Sequence, residues 1–441
     1  MRVSSNTPMN TLLRPILLVS SVALAGASTS GCHAWNRLWG KDTVDLSKAD
    51  IQSMSVDIRK ERKTICPREQ IQMAVFVDAV LEGAKEKKSY ETFTGHKEAN
   101  KNDKLEFVDF AFHSDQGEFD ADGWFAPNAS ILATVDKEFA IKTVYKKRPD
   151  KFSFDTKYKP DYQCIQSGGK GGAPGDSGAG GSSGDSGKDG QLGSDSQGGG
   201  DGSGGGQGGQ GADGANGGSG PHVVAYATYV KTAFYDKLVA VKLGGDVDDF
   251  LLAPIDQPLV LHASGGPGGQ GGAGGGGGRG GSGGGGNPGG NGGAGGHGGN
   301  GGKGGAGGAG GNIDLVFDAR YPELANILKL DASGGAGGDA GPPGNGGSGG
   351  SGGNGITPSG SQSSAPSGQS GSEGPHGANG AAGQNGANGH AATHGGKVAD
   401  QFAGLAGITL LDAGGSTDTA TPPVKGGKGP KGSKKKVGGG T

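Results

Sequence analysis

From Gly265 to Gly311 the chain keeps a G-G-X phase. The first triplet position is glycine at every site through Gly310, and the second at every site but Asn287. Such a stretch has no side chains with which to build a core. A flexible linker needs no phase, so the phase calls for a structural reason. A left-handed three-residue helix of the polyproline II type supplies one, because each triplet position then returns to the same face. Glycine has no Cβ to hold such helices apart, so backbone N–H groups can reach the carbonyls of a neighbour. One face then shows only the X residues, among them Pro267, Gln270, Ala273 and Ser282. Arg279, Asn291, His297, Asn300 and Lys303 form the candidate contact row. The segment NPGG at 287–290 reads as a turn, giving two antiparallel legs of roughly 65–70 Å at ~3.1 Å per residue.

Two further tracts are rich in glycine. From Gly169 to Gly220 glycine recurs at every third position, with Ser196 the one residue out of phase. This G-X-Y pattern resembles collagen, but Pro174 is the sole proline among residues 169–220, and a triple helix needs many. Residues 334–396 keep the triplet at 341–355 and 371–391, with ITPSGSQSSAPSGQS (356–370) read as a loop between them. The G-G-X tract is similar to the polyglycine-II rods of glycine-rich antifreeze and phage-tip proteins, and that resemblance implies ordered, side-by-side packing.

The first 31 residues read as a targeting segment. Arg2 and Arg14 precede or flank the apolar stretch PILLVSSVALAGA, which is too short for a spanning helix. The following TSGC resembles the lipobox of bacterial lipoproteins, with Thr29 where leucine is usual. The resemblance implies that Cys32 carries lipid, and His33 in place of aspartate implies sorting to the outer membrane. An ordinary cleaved signal is the alternative. Trp35 and Trp39, in the tether 32–50, are placed for the headgroup level or for packing on the next domain. Cys66 and Cys164 are then left for one disulfide in an oxidising compartment. In the chain-entropy model a bridge of that span contributes on the order of 4–5 kcal/mol.

Residues 51–167 have ordinary composition and period-2 runs. IQMAVFV (71–77) puts Ile71, Met73, Val75 and Val77 on one face. A helix starting at Pro67 is the competing reading, and strand is preferred for its first half. The arrangement TICP…GEFDADGWF…DYQC resembles a bacterial immunoglobulin-like domain, which implies a small antiparallel sandwich. Further on, LVLHASGGPGG (259–269) and LKLDASGGAGG (328–338) repeat one phrase, with a looser copy, ITLLDAGGS, at 408–416. Modules 221–264, 312–333 and 397–424 are expected to build one β unit from which the tracts 168–220, 265–311 and 334–396 project. Ordered rods remove the objection that long structureless loops do not belong in a compact domain.

The fold class is therefore mainly β, a sandwich-like domain plus a β unit interrupted by glycine tracts, rod-like or disordered. Chemistry is sparse. No phosphate-loop match has strand–loop–helix context. EFDADG (118–123) resembles half an EF-hand loop, but Ala129 stands where a bidentate glutamate is required. DVDD (246–249) and the pair His390/His394 are weak cation candidates. The reading is of a non-enzymatic, lipid-anchored structural or adhesive protein of the bacterial outer membrane, with no cofactor, no bound metal and no specific nucleic acid. The tail 425–441 carries Lys434, Lys435 and Lys436 among six lysines and no acid, which suits an anionic envelope polymer. The alternative is a glycan- or peptide-binding lipoprotein whose N-terminal β domain recognises the ligand, with the tracts as flexible linkers.

Overall fold

The structure, a computed structural model, describes Trp39 and residues 41–59, 63–96 and 99–412. Residues 1–31, read above as a targeting segment, Cys32, Trp35 and the lysine-rich tail lie outside the described residues. The strands in chain order are β1 (Asp50–Ile58), β2 (Thr64–Ile65), β3 (Ile71–Val80), β4 (Lys88–Glu91), β5 (Phe110–His113), β6 (Gly117–Phe119), β7 (Trp124–Pro127), β8 (Phe139–Tyr145) and β9 (Ser153–Pro160). They continue as β10 (Ser167–Gly169), β11 (Val223–Lys231), β12 (Leu238–Gly245), β13 (Asp249–Ala253), β14 (Leu259–His262), β15 (Ile313–Asp318), β16 (Leu328–Asp331), β17 (Ala391–Gly396) and β18 (Thr409–Leu410). Helical turns α1 (Leu324–Ile327) and α2 (Ala399–Phe402) are short. The protein is mainly β, with several sheets and, among the described residues, no closed barrel. It divides into two compact units.

The first unit holds the described residues up to Lys63, with Gln70–Ala126 and Ala140–Tyr158. The sheet β1-β3-β7-β6, with β4 also on β3, faces a second sheet containing β9-β8-β5. The segment from Pro67 is strand, not helix, after a turn. Ile71, Met73, Val75 and Val77 are buried as the alternation requires. Aromatic rings join the sheets, with Phe112 stacked on Phe119 at 5.3 Å and Phe119 against Phe125 at 4.9 Å. DADG is a turn. Asp120 Oδ1 accepts the backbone N–H groups of Asp122 and Trp124, and Gly123 sits at φ +75°.

The second unit takes Thr64–Glu69, Pro127–Phe139 and the chain from Lys159 onward. Cys66 and Cys164 are joined as a disulfide across a separation of 98 residues. β2 pairs in parallel with Lys159 and Pro160 of β9. One sheet runs β13-β12-β11-β15-β17, with β18 on β11, and the other runs β10-β14-β16. Between them lie Leu259, Leu261, Val223, Ala225, Ile313 and Leu315, all fully buried.

The glycine tracts grow out of these sheets as three hairpins. Each hairpin has an outbound and a return leg: 171–193 and 199–220, 265–286 and 289–311, 334–355 and 368–389. Outbound legs one, three and five leave β10, β14 and β16. Return legs two, four and six enter β11, β15 and β17. The strands in each set are parallel neighbours, and the legs inherit that order as two layers. The core tapers where strand becomes leg. On β14 the inward series is Leu259, Leu261, Ala263, and then the glycines begin. Sheets stacked through side chains stand ~10 Å apart, whereas the legs meet backbone to backbone.

The G-X-Y tract is a hairpin, and Ser196, its one break in phase, lies in the turn. One expectation changes here. The described part of the looser repeat, 408–412, is no copy of the other two, because β18 pairs antiparallel with β11. The third equivalent of β14 and β16 is β10, whose Gly168 stands level with Leu261.

Candidate functional site

Every leg is held by backbone bonds to its neighbours. Within a hairpin the legs are antiparallel: Gly296 donates its N–H to Gly278 O at 2.8 Å, and Gly206 to Asp185 O at 2.7 Å. Between hairpins, legs of one layer are parallel: Gly181 N–H donates to Ala273 O, Gly277 to Asn345 O, and Gly298 to Pro375 O. Legs of opposite layers also bond across hairpins, as Gly272 N–H to Ala212 O and Gly344 N–H to Gly299 O. The outcome is a two-layer slab in which legs three and four each touch four others, legs two and five three, and legs one and six two.

That neighbour number explains the three glycine patterns. In central leg three, a Cβ on Gly271 would overlap Gly302 O and one on Gly272 would overlap Ala179 O, so two glycines per triplet are required. In outer leg one, Gly181 is equally confined, but a Cβ on Gly180 would lie 3.7 Å from the nearest atom. One glycine per triplet suffices there. Leg two is intermediate. A Cβ on Gly209 meets Ser182 N at 3.0 Å, a tight space, and equivalent positions hold Ser203, Ala212 and Ala215. Leg five departs from the rule by carrying Ala340 and Pro343 in such a position. The adjacent bond from Gly380 to Gly341 O is 3.0 Å there, against 2.8 Å at Gly383. None of the leg glycines has positive φ. Those facing another leg are there because a side chain would not fit, not for their conformational freedom.

The X residues cover both broad faces. The candidate row divides between them: Asn291, His297, Asn300 and Lys303 are exposed on leg four, whereas Arg279 is exposed on leg three in the other layer. The structure therefore separates Arg279 from the other four. Nor are the two asparagines uncommitted. Asn291 Oδ1 accepts the N–H of Gln369, and Asn300 Oδ1 that of Ala378. Asp201, Asp213, Asn216 and Asn312 do the same for Asn291, Lys303, Ala306 and His390. In each case a side-chain oxygen takes the outward N–H that a further leg would otherwise accept. These capping residues were not anticipated, although recurring Asp and Asn at outward triplet positions was their signal. Among the described residues the other face has one such cap, Asp189 on Ser282.

Where legs three and five begin, His262 Nδ1 lies 2.9 Å from Asp331 Oδ2. Bonds from Ser333, and then His262, hold the Asp331 carboxyl below the usual carboxylate range. The DVDD acids serve structure: Asp246 accepts the His222 N–H, and Asp249 pairs with Arg68 at 2.6 Å. Asp249 also lines a cleft of about 400 Å³ with Lys242, Asp248 and Phe250. Lys242 there donates to Gln401 O. Among the described residues no three His, Cys, Asp or Glu are grouped to hold a metal ion, and His390 and His394 are placed in no such group. No helix among them is long and apolar enough to cross a membrane.

No protein-family model, curated protein or solved structure matches this chain.

Proposed function

We propose that the protein is a non-enzymatic structural or adhesive component of the bacterial outer membrane, anchored by lipid on Cys32, whose working part is the glycine slab. The observation that carries this is the slab's construction. Six legs of roughly 70 Å at ~3.1 Å per residue are fixed by backbone bonds and display exposed X residues in rows. A spacer would need none of these bonds, so they favour a rigid presenting surface over tracts that merely link a glycan- or peptide-binding domain. His297 and Lys303 on one face and Arg279 on the other are the contact residues.

The test is metabolic labelling with a palmitate analogue combined with an attachment assay on whole cells. Label is expected in the native chain and absent from Cys32→Ser, and cells carrying that variant should lose attachment. Unlabelled native protein, or attachment that survives both Cys32→Ser and deletion of 171–389, would overturn the reading.

A further inference from the structure

The two edges of the slab are not alike. Parallel legs bond in one direction: leg one donates to leg three, and leg three to leg five. The edge formed by legs five and six therefore points N–H groups outward, and the edge formed by legs one and two points carbonyls outward. The donor edge is partly closed by the protein's own side chains. Asn388 and Asn385 accept from Gly334 and Gly337, Ser367 Oγ from Gly355, and His376 Nδ1 from Gly346 at 3.4 Å. Pro343 has no N–H to offer.

On the acceptor edge, among the described residues, Lys188 N–H of leg one is capped by Ser203 Oγ of leg two, but the outward carbonyls have no such closure. Among the described residues, the carbonyls of Pro174, Ser177, Gly180 and Ser183 on leg one, and of Gly204 and Gln207 on leg two, receive no backbone N–H. Like an unpaired strand edge, this is a template for another chain that brings donors. Its side chains state the charge of that chain. Asp176 and Asp185 stand on the outer row of leg one, exposed, with Ala173, Ala179 and Ser182 keeping the row low around them. Neither carboxylate is paired with a described side chain. The first hairpin also holds Asp189, Asp195, Asp201 and Asp213, against Lys188 as its one cation within 171–220. The second hairpin has Arg279 and Lys303 and no acid, and the third has Asp339 and Glu373, so acids are densest in the first.

We propose that the acceptor edge is occupied by the chain's own segment 425–436, lying along legs one and two. That segment carries Lys425, Lys428, Lys431, Lys434, Lys435 and Lys436 without an acid. Gly426, Gly429 and Gly432 recur at every third position, the spacing of an outer leg. It also reaches. The described chain stops beside Arg320, whose Nη1 lies 3.6 Å from Asp412 Oδ1, with Leu411 bonded to Tyr229. From Val230 back along β11 to Pro221, where leg two ends, is about 30 Å at ~3.3 Å per residue. Residues 413–425 span up to about 45 Å when extended.

The experiment is zero-length carbodiimide coupling of carboxylates to lysine amines on the full chain, read by peptide mass spectrometry. The expected product joins Asp176 or Asp185 to a lysine of 425–436 within the monomer. It should vanish in the exposed double variant Asp176→Asn/Asp185→Asn and fade at high salt, as screened surface pairs do. Three results would overturn the proposal: no such product, the product in covalent dimers alone, which would mean the tail of a second copy, or equal coupling to Asp339 and Glu373 of the third hairpin. The readout needs neither the lipid anchor nor attachment, so it stands or falls apart from the function proposed above.

Discussion

The first unit and the glycine slab solve one problem by opposite means. In the sandwich, Phe125, Ile141, Tyr145 and Met73 are almost wholly buried, and side chains fill the space between sheets. In the slab there is nothing between the legs except backbone, and the bonds of 2.7–3.1 Å between them replace the apolar core. One region is held together by what its residues carry, the other by what they lack. A single such bond adds only ~0.5–1.5 kcal/mol net, so the slab depends on repetition. Its legs are also useless singly, since each leg's donors end on another leg.

The contrast predicts that removing a side chain harms one region and that adding one harms the other. Phe125→Ala, which removes a ring from the sandwich, should cost about 3–5 kcal/mol. Gly272→Ala adds one methyl to the slab and should cost about 1–3 kcal/mol, as overpacking does. Gly180→Ala, at an open position of leg one, should be near neutral. Chemical unfolding of the three variants checks the ranking. If Gly272→Ala were as harmless as Gly180→Ala, the backbone-core description would fail.

A smaller effect concerns the caps. Asn300→Ala leaves the outward N–H of Ala378 to water and should cost no more than ~1 kcal/mol. Hydrogen exchange at Ala378 should accelerate while exchange at Gly298, whose N–H points into the neighbouring leg, stays slow. Equal acceleration at both would mean that Asn300 does more than cap.

The smallest effect lies in the sandwich. A bond from Lys147, and then bonds from Ser47, lower the Asp45 carboxyl to about 2. A depressed carboxylate stabilises the fold above its unfolded pKa, near 3.9, and loses that contribution as pH falls toward the folded value. Asp45→Asn should therefore lower the melting temperature slightly at neutral pH and leave it unchanged near pH 2. Because the pair is largely exposed, the difference should shrink with added salt. A difference that persists at pH 2 would assign it to packing.

Much of this was legible in the residues. The alternation in IQMAVFV gave β3, the pair Cys66 and Cys164 gave the bridge, and NPGG at Asn287 gave a turn, whereas the break in phase at Ser196 was not read as one. The matching phrases at 259–269 and 328–338 were neighbours in one parallel sheet, a relation visible as a repeat. The third member was not visible, because on β10 the level of Leu261 is held by Gly168, a residue with no side chain to match. The capping asparagines were read as a contact row because a single chain stretch does not show which leg lies beside it.

The sequence by itself determined that the glycine tracts keep a three-residue phase, since only a helix of that period gives each triplet position a constant face. It also determined where the second and third hairpins turn. Only the tertiary structure decided how many neighbours each leg has. That number follows from the strand order β10-β14-β16 and β11-β15-β17, a long-range pairing with no local signature. Two glycines per triplet in the middle of the slab and one at its margins are the consequence, because a Cβ is forbidden only on a side where another backbone already stands.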